Sequence, residues 1–417
     1  FAYTEDLSYG RSESADSPTR PEVQREGTPS VGDAFLRAWD ATGDRYYLEA
    51  ARRVAHAYAA GQLCSGGWDY TIEFDPAKRK QFAYREDNNC AGSGVTTLDD
   101  NVTQAAIRFL IRVDRELNFG DQRIHAAALY ALDHLMKAQY PIGAWPQRYR
   151  EFPDPAKFPV KRASYPAEWS RKWPGSNYQS HYTFNDNSII DMIDTMLEAA
   201  RVYNDPKYLA SAGKGGEFIL LAQMPDPQPA WAQQYDANMH PAWARIFEPP
   251  SVTGGESQGI LRMLMVLYGE TGDRKYLEPI PRALNYFRNS VLKPEQIPGR
   301  MGGRAPQPAI GGGDLGNWRR EGPIMLARFY ELKTNRPLYI TKGTRVSVRG
   351  EGSKLIDGYE LSYSPASVIQ HYGVVTSGEE LPRIEAEYKR VSAAAPATLR
   401  RPDKLRGLSP WSERPVR

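Results

Sequence analysis

The sequence predicts an all-α fold, an incomplete α/α toroid of helical hairpins with long loops and a short strand-like C-terminal extension. Three observations carry this prediction. The segment TGDRYYLEAARRVAHAYAAGQ (42–62) recurs along the chain, each copy follows another run of helical apolar periodicity, and nothing alternates strand with helix. We expect residues 1–340 to form the toroid and residues 341–417 to form an extension that is packed on it or loosely attached.

The repeat sets the hairpin length. Further copies lie at 118–139, 204–223 and 271–290, and TNRPLYI (334–340) resembles a truncated one. The aspartates that mark successive full copies are 68 to 84 residues apart, which accommodates one helical hairpin plus a long loop. An open α-solenoid is the alternative, and the irregular long loops count against it.

The helices of each hairpin differ in pattern. Residues 100–116 carry apolar side chains almost all round, as expected of a buried inner helix, whereas the helix after 121 has one apolar stripe. The third hairpin pairs 187–203 with 206–223, and the fourth pairs 256–269 with 274–290. In a toroid the inner helices are parallel, so their N-termini should lie at one end of the ring.

Composition excludes several classes of protein. No apolar run approaches the roughly 18 residues of a membrane helix. The net charge is +3, and the lysines and arginines are dispersed along the chain. A nucleic-acid-binding protein would instead be expected to show a strongly basic patch. The chain begins at Phe1, which would suit a removed secretion signal, so we expect a secreted or periplasmic protein. Cys64 and Cys90 could form a disulfide there, or remain two free thiols.

Acidic residues begin the inner helices at Asp99, Asp100, Asp186 and Glu256. Each of them could simply cap its helix, because Asp is a preferred N-cap residue and favours the helix dipole. Their recurrence at one end of a ring favours a shared site. Clustered carboxylates serve either a hard cation such as Ca²⁺ or an acid–base pair.

Candidate cations lie in two loops. Arg245 stands between Trp243 and Phe247 in HPAWARIFEPPSVTGGES (240–257), and Arg319 and Arg320 follow a glycine-rich run. Paired guanidiniums suit the bidentate recognition of sugar carboxylates, although surface arginines are often only solvated. His240 and His181 are candidate bases, although a lone histidine is more often structural.

Tryptophans recur in the loops after the outer helices, at Trp68, Trp145 and Trp231. They could be plain packing residues. Their repeated loop context makes them candidates for stacking against sugar rings, at the same mouth as the acidic residues.

Several runs together resemble the pectate lyases of polysaccharide lyase family 10, in the same order over about residues 90–340: TLDDNVTQAAIRFL, GAWPQRY, HYTFNDNSIIDM, ARIFEPPSVTGGESQGI and LARFYELKTNRPLYI. The resemblance implies an α/α toroid and Ca²⁺-assisted β-elimination on polygalacturonate. It implies metal and substrate binding by Asp99 and Asp186, and a Brønsted base at Arg245. It makes Arg319, Arg320 and Arg336 candidates for substrate binding. Asp100 departs from the family's Asn and adds a negative charge.

We therefore expect a lyase that cleaves a polyuronate, with polygalacturonate as the expected substrate. Arg245 is the expected base and His240 is the alternative. Its partner would be the acidic polysaccharide, with no nucleic acid and no membrane, and the protein would be a monomer. One alternative is a lyase on alginate or glucuronan. Another is a glycoside hydrolase that uses Asp99 or Asp186 with Glu256, and a third is a non-catalytic oligosaccharide-binding protein.

Overall fold

The computed structural model describes residues 17–298 and 323–400, with gaps at 18, 25–26, 176, 343–344, 349–351, 356–358 and 366–374, and two short strands near the start of the chain. The α-helices of this part are α1 (Thr28–Thr42), α2 (Arg45–Ala60), α3 (Pro76–Arg79), α4 (Val102–Glu116), α5 (Gln122–Ala138), α6 (Ser188–Tyr203), α7 (Pro206–Ala222), α8 (Glu256–Thr271), α9 (Pro279–Ser290) and α10 (Leu381–Ala393).

The strands are short and lie mostly between or after the helices. They are β1 (Ala2–Tyr3), β2 (Gly10–Arg11), β3 (Thr96–Thr97), β4 (Arg148–Tyr149), β5 (Tyr182–Thr183), β6 (Gln234–Tyr235), β7 (Ser251–Thr253), β8 (Met325–Ala327), β9 (Phe329–Glu331), β10 (Pro337–Lys342), β11 (Arg345–Val348), β12 (Gly352–Leu355), β13 (Tyr359–Ser362) and β14 (Val375–Ser377). The longest antiparallel arrangement has the order β13-β10-β9-β7.

The predicted helical hairpins are confirmed as α1–α2, α4–α5, α6–α7 and α8–α9. The repeated aspartate has a simple physical cause. It stands just before the second helix in three hairpins, and in the fourth it precedes a 3-10 turn (Arg274–Leu277) that leads into α9. Asp44 and Asp121 accept backbone N–H groups two residues on, at 2.9 and 3.2 Å, and Asp205 and Asp273 do the same at 3.0 and 3.1 Å. Each of these side chains satisfies a backbone donor that the helix itself leaves without a partner.

The truncated fifth copy of the helical repeat expected at 334–340 is wrong. The run from 325 to 342 forms strands, in which Thr253 pairs with Phe329 and Pro337 pairs with Tyr330. The turn between β9 and β10 includes Lys333 and Asn335, both with positive φ. A short apolar run does not by itself distinguish helix from strand, and here pairing with β7 decides the outcome. The boundary predicted at 340/341 falls within β10.

The chain divides into two compact units. Unit 1 contains the described residues of Phe1–Phe158 and Asp186–Gly215, and unit 2 contains those of Pro159–Asn185 and Gly216–Arg401. No helix of the described residues is long and apolar enough to cross a membrane. Cys64 and Cys90 of unit 1 form a disulfide, which settles the open alternative and closes the loop that carries Trp68.

A buried ion network joins three helices of unit 1. Arg108 and Arg112 of α4 both bind Glu198 of α6, with Nε–Oε distances of 2.6 and 2.7 Å. Arg108 also pairs with Asp194 at 3.0 Å, and Arg112 pairs with Asp33 of α1 at 2.9 Å. Burial alone would raise the pKa of Glu198, but the two guanidiniums outweigh it and lower the pKa to about 2.

Candidate active site

A short strand precedes each of the two helix starts that carry the aspartates. In unit 1, β3 pairs with β4, and the Leu98 N–H donates to the Gln147 carbonyl at 2.9 Å. In unit 2, β5 pairs with β6, and the Phe184 N–H donates to the Gln233 carbonyl at 2.8 Å. The residue after each of these anchors begins the turn into the next helix, so both turns start from the same geometry.

Both turns contain two successive residues in the left-handed region. These are Asp100 and Asn101 before α4, with φ of 50° and 56°, and Asp186 and Asn187 before α6, with φ of 49° and 62°. Asp and Asn tolerate this conformation better than other residues with a side chain, which accounts for the Asp-Asn pair in both motifs. By its place in the turn, Asp100 is the equivalent of Asp186.

Three carboxylates come together in unit 1. Asp99, Asp100 and Asp186 each offer an oxygen, and these oxygens lie within 4.8 Å of one another. Asp99 is buried, Asp100 is half-buried and Asp186 is exposed, so the cluster runs from the interior to the surface. Hard divalent cations take oxygen ligands at about 2.3–2.6 Å, so oxygens at this spacing fit around one ion. This group, the aspartate cluster, is therefore a candidate metal site.

Two residues that sequence reasoning missed lie against the aspartate cluster. The hydroxyl of Tyr70 donates to Asp100 Oδ2 at 3.0 Å and to Asp99 Oδ2 at 3.4 Å. Arg148 of β4 places Nη2 3.6 Å from Asp99 Oδ2 and 3.2 Å from the Tyr70 oxygen. Burial and the neighbouring aspartates raise the pKa of Tyr70 well above its ordinary value, so its hydroxyl remains a donor.

A signal for both residues existed in the sequence. Tyr70 follows Trp68 in the GGWDY run, and Arg148 follows Trp145 in GAWPQRY. In both runs the repeated tryptophan precedes a polar residue by two or three positions, and this shared placement is the signal.

In unit 2 the described geometry holds Arg245 against a buried carboxylate. Glu248, with a side chain only 1% exposed, binds Nε at 2.8 Å and Nη2 at 2.5 Å. The guanidinium also lies 5.0 Å from the ring of Phe247. A bidentate carboxylate and an aromatic face fix the plane of a guanidinium, so Arg245 is preorganised.

A second arginine, Arg328, approaches the same carboxylate in unit 2. Its Nη2 lies 3.7 Å from Glu248 Oε1 and donates to Asn185 Oδ1 at 3.4 Å. Arg328 belongs to the LARFYEL run and lies between β8 and β9, and it was not among the residues predicted for the site. Two guanidiniums therefore share one buried carboxylate and retain a net positive charge between them.

Glu256 and the candidate histidines have modest partners within unit 2. Glu256 begins α8, and it accepts from Gln233 Nε2 at 3.0 Å and from the Thr253 hydroxyl. His240 Nδ1 lies 3.8 Å from Asp236 Oδ2. Burial lowers the pKa of His181, so its imidazole is neutral near pH 7. These contacts orient Glu256 more firmly than His240.

The expectation that tryptophans stack against sugars is wrong. Trp68, Trp145 and Trp231 are 0%, 1% and 0% exposed, so none presents a face to a ligand. Each indole N–H donates at 2.9 Å to a backbone carbonyl of the preceding outer helix, at Tyr58, Leu135 and Ile219. Their repeated context reflects this shared anchoring of loop to helix, which satisfies a buried donor.

The remaining candidates divide in two. Arg319 and Arg320 lie outside the described residues. Arg336 is exposed at the turn before β10, where its guanidinium lies over the ring of Tyr363 at 3.4 Å. The structure thus brings Asp99, Asp100 and Asp186 together in unit 1, and holds Arg245, His240 and Glu256 in unit 2.

Comparison with known proteins gives one family. A family model described as pectic acid lyase matches residues 62–351. The fold is similar to that of a family 10 polysaccharide lyase from Cellvibrio cellulosa, with 21% identity, a TM-score of 0.52, and coverage of 81% of this chain and 91% of that one. A mutant of that lyase in complex with trigalaturonic acid matches at 20% identity, with a TM-score of 0.52 and coverage of 81% and 92%. No protein with a curated description matches.

Proposed function

The chain belongs to the pectic acid lyase family, and on this premise we propose that it cleaves polygalacturonate by β-elimination with help from Ca²⁺. It is a polysaccharide lyase, an enzyme of the pectate lyase type. The observation that carries the calcium proposal is the aspartate cluster, whose three oxygens lie within 4.8 Å of one another.

β-Elimination on a uronic acid removes the weakly acidic proton on the carbon next to the carboxylate. The electron pair left behind forms a carbon–carbon double bond, the glycosidic carbon–oxygen bond breaks, and the departing oxygen takes up a proton. The barrier is dominated by negative charge that accumulates on the uronate carboxylate as the proton leaves. Positive charge placed at that carboxylate in advance lowers the barrier.

Asp99, Asp100 and Asp186 would hold the Ca²⁺. The ion fits this donor set because all three ligands are hard oxygens and one of them, Asp186, is exposed. When bound, Ca²⁺ would neutralise the uronate carboxylate. The chain's own part is to keep the carboxylates close together despite their repulsion. Tyr70 donates to Asp99 and Asp100, and Arg148 offsets part of the charge of Asp99.

Arg245 is the proposed base, and Glu248 positions it. An ordinary guanidinium is protonated at any usual pH, so a base role requires a positively charged environment that favours loss of a proton. Glu248 by itself favours the protonated guanidinium, and Arg328, 3.7 Å from the same carboxylate, offsets that charge. We expect activity to be highest at alkaline pH for this reason. His240 is the alternative base, and its weak contact with Asp236 leaves its ring less firmly oriented.

Arg328 is proposed to bind substrate. Glu256 accepts from Gln233 Nε2, and it is proposed to assist substrate binding by orienting Gln233. Arg319 and Arg320 remain proposed substrate ligands by the family resemblance alone. The disulfide between Cys64 and Cys90 supports a secreted or periplasmic location, because disulfides persist in oxidising compartments. A monomer that acts on an acidic polysaccharide, without a nucleic-acid or membrane partner, completes the proposal.

The test is a substrate panel. The protein is incubated with polygalacturonate, alginate and glucuronan, and ultraviolet absorbance and reducing ends are both followed. A lyase on polygalacturonate generates unsaturated ends that absorb, together with reducing ends. Absorbance on alginate or glucuronan alone would reassign the polymer. Reducing ends without absorbance would indicate a hydrolase, and neither signal on any polymer would indicate a binding protein.

A further inference from the structure

We propose that unit 2 carries a second polyuronate-binding surface, the arginine–aromatic platform, formed by Trp169, Arg171, Trp173, Arg336 and Tyr363. The platform would bind sugar units of the polymer beyond those at the bond being cleaved. Its ligand class rests on the proposed function. Its existence as a binding surface rests on the contacts of these residues.

Two guanidiniums share one ring at the centre of the platform. The Cζ atom of Arg336 lies 3.4 Å from the Tyr363 centroid, and that of Arg171 lies 4.8 Å from it. Arg171 also lies 5.7 Å from the Trp169 ring. Flat guanidiniums stacked on aromatic rings keep their N–H edges available for carboxylates. A polyuronate presents both features that this arrangement matches, namely carboxylates and apolar ring faces.

A buried carboxylate orients the platform. Glu331 accepts from Arg171 Nη1 at 2.6 Å and from the Tyr363 hydroxyl at 2.5 Å. Arg171 Nη1 also donates to the Tyr363 oxygen at 2.8 Å. Among the described residues, the hydrogen bonds of the Arg171 guanidinium all use Nη1, so Nε and Nη2 have no protein acceptor there. A fixed guanidinium with an open edge is suited to bidentate binding of an external carboxylate.

Trp173 and Tyr363 of the platform are exposed, unlike the tryptophans of the repeated loops, whereas Trp169 is half-buried and packs against the core cluster that contains Phe329. Trp173 is 40% exposed and Tyr363 is 36% exposed. Their hydrogen-bonding groups are already used, since the Trp173 N–H donates to Ala244 and the Tyr363 hydroxyl donates to Glu331. What remains for a ligand is ring surface. Exposed ring faces beside charged groups are typical of a recognition surface rather than of a core.

The platform continues into the loop of Arg245. The Trp173 N–H donates to the Ala244 carbonyl at 2.8 Å, and in return the Trp243 N–H donates to the Ser170 carbonyl at 2.7 Å. These reciprocal indole bonds join the segment that carries Trp169, Arg171 and Trp173 to Trp243 and Ala244, which precede Arg245 in the chain. A polymer bound at Arg245 would therefore have the platform within the adjoining segment of unit 2.

Charge favours an anionic polymer over a neutral one. Residues 159–175, which supply three members of the platform, contain four basic residues and one acidic residue. A neutral oligosaccharide would gain nothing from this excess, whereas a chain with one carboxylate per sugar would be attracted along the segment. We therefore commit to a polyuronate as the occupant.

The test measures the binding of the full chain to polygalacturonate by calorimetry in the presence of chelator, so that calcium-dependent cleavage does not consume the ligand. The double variant Arg171→Gln/Arg336→Gln should weaken binding about tenfold, since two charge-assisted contacts are lost. The matched control is Arg274→Gln/Arg282→Gln, which removes two exposed arginines of unit 2 that are not in the platform. The control should leave the dissociation constant within about twofold.

Three results would overturn the platform. They are an unchanged affinity in the double variant, an equal loss in the control, or an equal loss for dextran sulfate, which would indicate a general basic patch. If removal of Arg171 from Glu331 prevents folding, Arg336→Gln alone must weaken binding, because that side chain makes no ion pair among the described residues. The substrate panel tests the proposed function independently, because it measures cleavage. Calorimetry in chelator measures polygalacturonate binding even if the protein has no lyase activity.

Discussion

Glu248 holds Arg245 with both of its carboxylate oxygens, Oε2 to Nε at 2.8 Å and Oε1 to Nη2 at 2.5 Å. The backbone N–H of Arg245 also donates to Oε2 at 3.0 Å, so the same carboxylate fixes the side chain and the loop. This arrangement selects a planar guanidinium, because an ammonium cannot occupy both positions.

Arg245→Lys should therefore lower kcat on polygalacturonate by about 100-fold or more, the scale typical of losing one preorganised group at a reacting centre. The charge is kept, but the fork that matches Glu248 is lost. Initial rates by ultraviolet absorbance check this, with Arg274→Lys as the control. Near-normal kcat in Arg245→Lys, together with loss of turnover in His240→Ala, would transfer the base role to His240.

Arg148→Gln should tighten Ca²⁺ binding several-fold. Arg148 places a positive charge 3.6 Å from Asp99, and a nearby cation opposes the binding of another by about 1 kcal/mol at a partly exposed position. Calorimetric titration with Ca²⁺ in the absence of substrate measures the effect. Arg150→Gln is the matched control, since Arg150 donates to the carbonyls of Ala91 and Gly92 instead. Weaker Ca²⁺ binding in Arg148→Gln would show that the arginine organises the cluster more than it competes with the ion.

Stability should fall in acid through Glu198. Its folded-state pKa of about 2 lies below the ordinary glutamate value of 4.5, so its contribution to stability is complete above about pH 4.5 and is lost as the pH falls toward 2. A pKa shift of this size corresponds to about 3 kcal/mol in the free energy of unfolding. Urea unfolding at a series of pH values checks the prediction.

The variant Glu198→Gln should lower the free energy of unfolding by about 3–5 kcal/mol at pH 7, because it leaves Arg108 and Arg112 without their shared partner. It should also flatten the acid slope, and an unaltered slope would contradict the assignment to Glu198.

Trp231→Phe should reduce stability without changing the KM for polygalacturonate. The substitution removes the indole N–H that donates to the Ile219 carbonyl and leaves a buried acceptor unsatisfied, at a cost of about 1–3 kcal/mol. Thermal unfolding and steady-state kinetics distinguish the two roles. A raised KM with unchanged stability would restore the sugar-stacking role.

The hairpins could be predicted because their signals are local. The repeated aspartate ends a turn and caps a helix in each copy, at Asp44, Asp121, Asp205 and Asp273. The apolar periodicity that predicts α4 and α5 is likewise contained in each helix's own sequence. The strands near Tyr330 could not be predicted in this way. Their conformation depends on pairing with Ser251–Thr253, about 80 residues earlier, which a short apolar run does not encode.

The candidate site was predictable to the extent that its residues share a motif. Asp99, Asp100 and Asp186 stand at equivalent helix starts, so topology alone brought them to one cluster. Tyr70 reaches the cluster from a different loop, and no spacing rule links position 70 to position 99. The tryptophans do share a repeated motif, but the motif indicates a structural role and not a binding role. Each indole packs against the preceding outer helix and donates to one of its carbonyls.

The central claim is tested most directly by the calcium dependence of ultraviolet-absorbing product formed from polygalacturonate. The rate is measured as purified, in excess chelator, and after Ca²⁺ is restored, for the natural chain and for Asp186→Asn. We expect the chelator to abolish the absorbance and Ca²⁺ to restore it, and we expect Asp186→Asn to require more Ca²⁺ for half-maximal rate. Undiminished product formation in chelator, with Asp186→Asn indistinguishable from the natural chain, would contradict it.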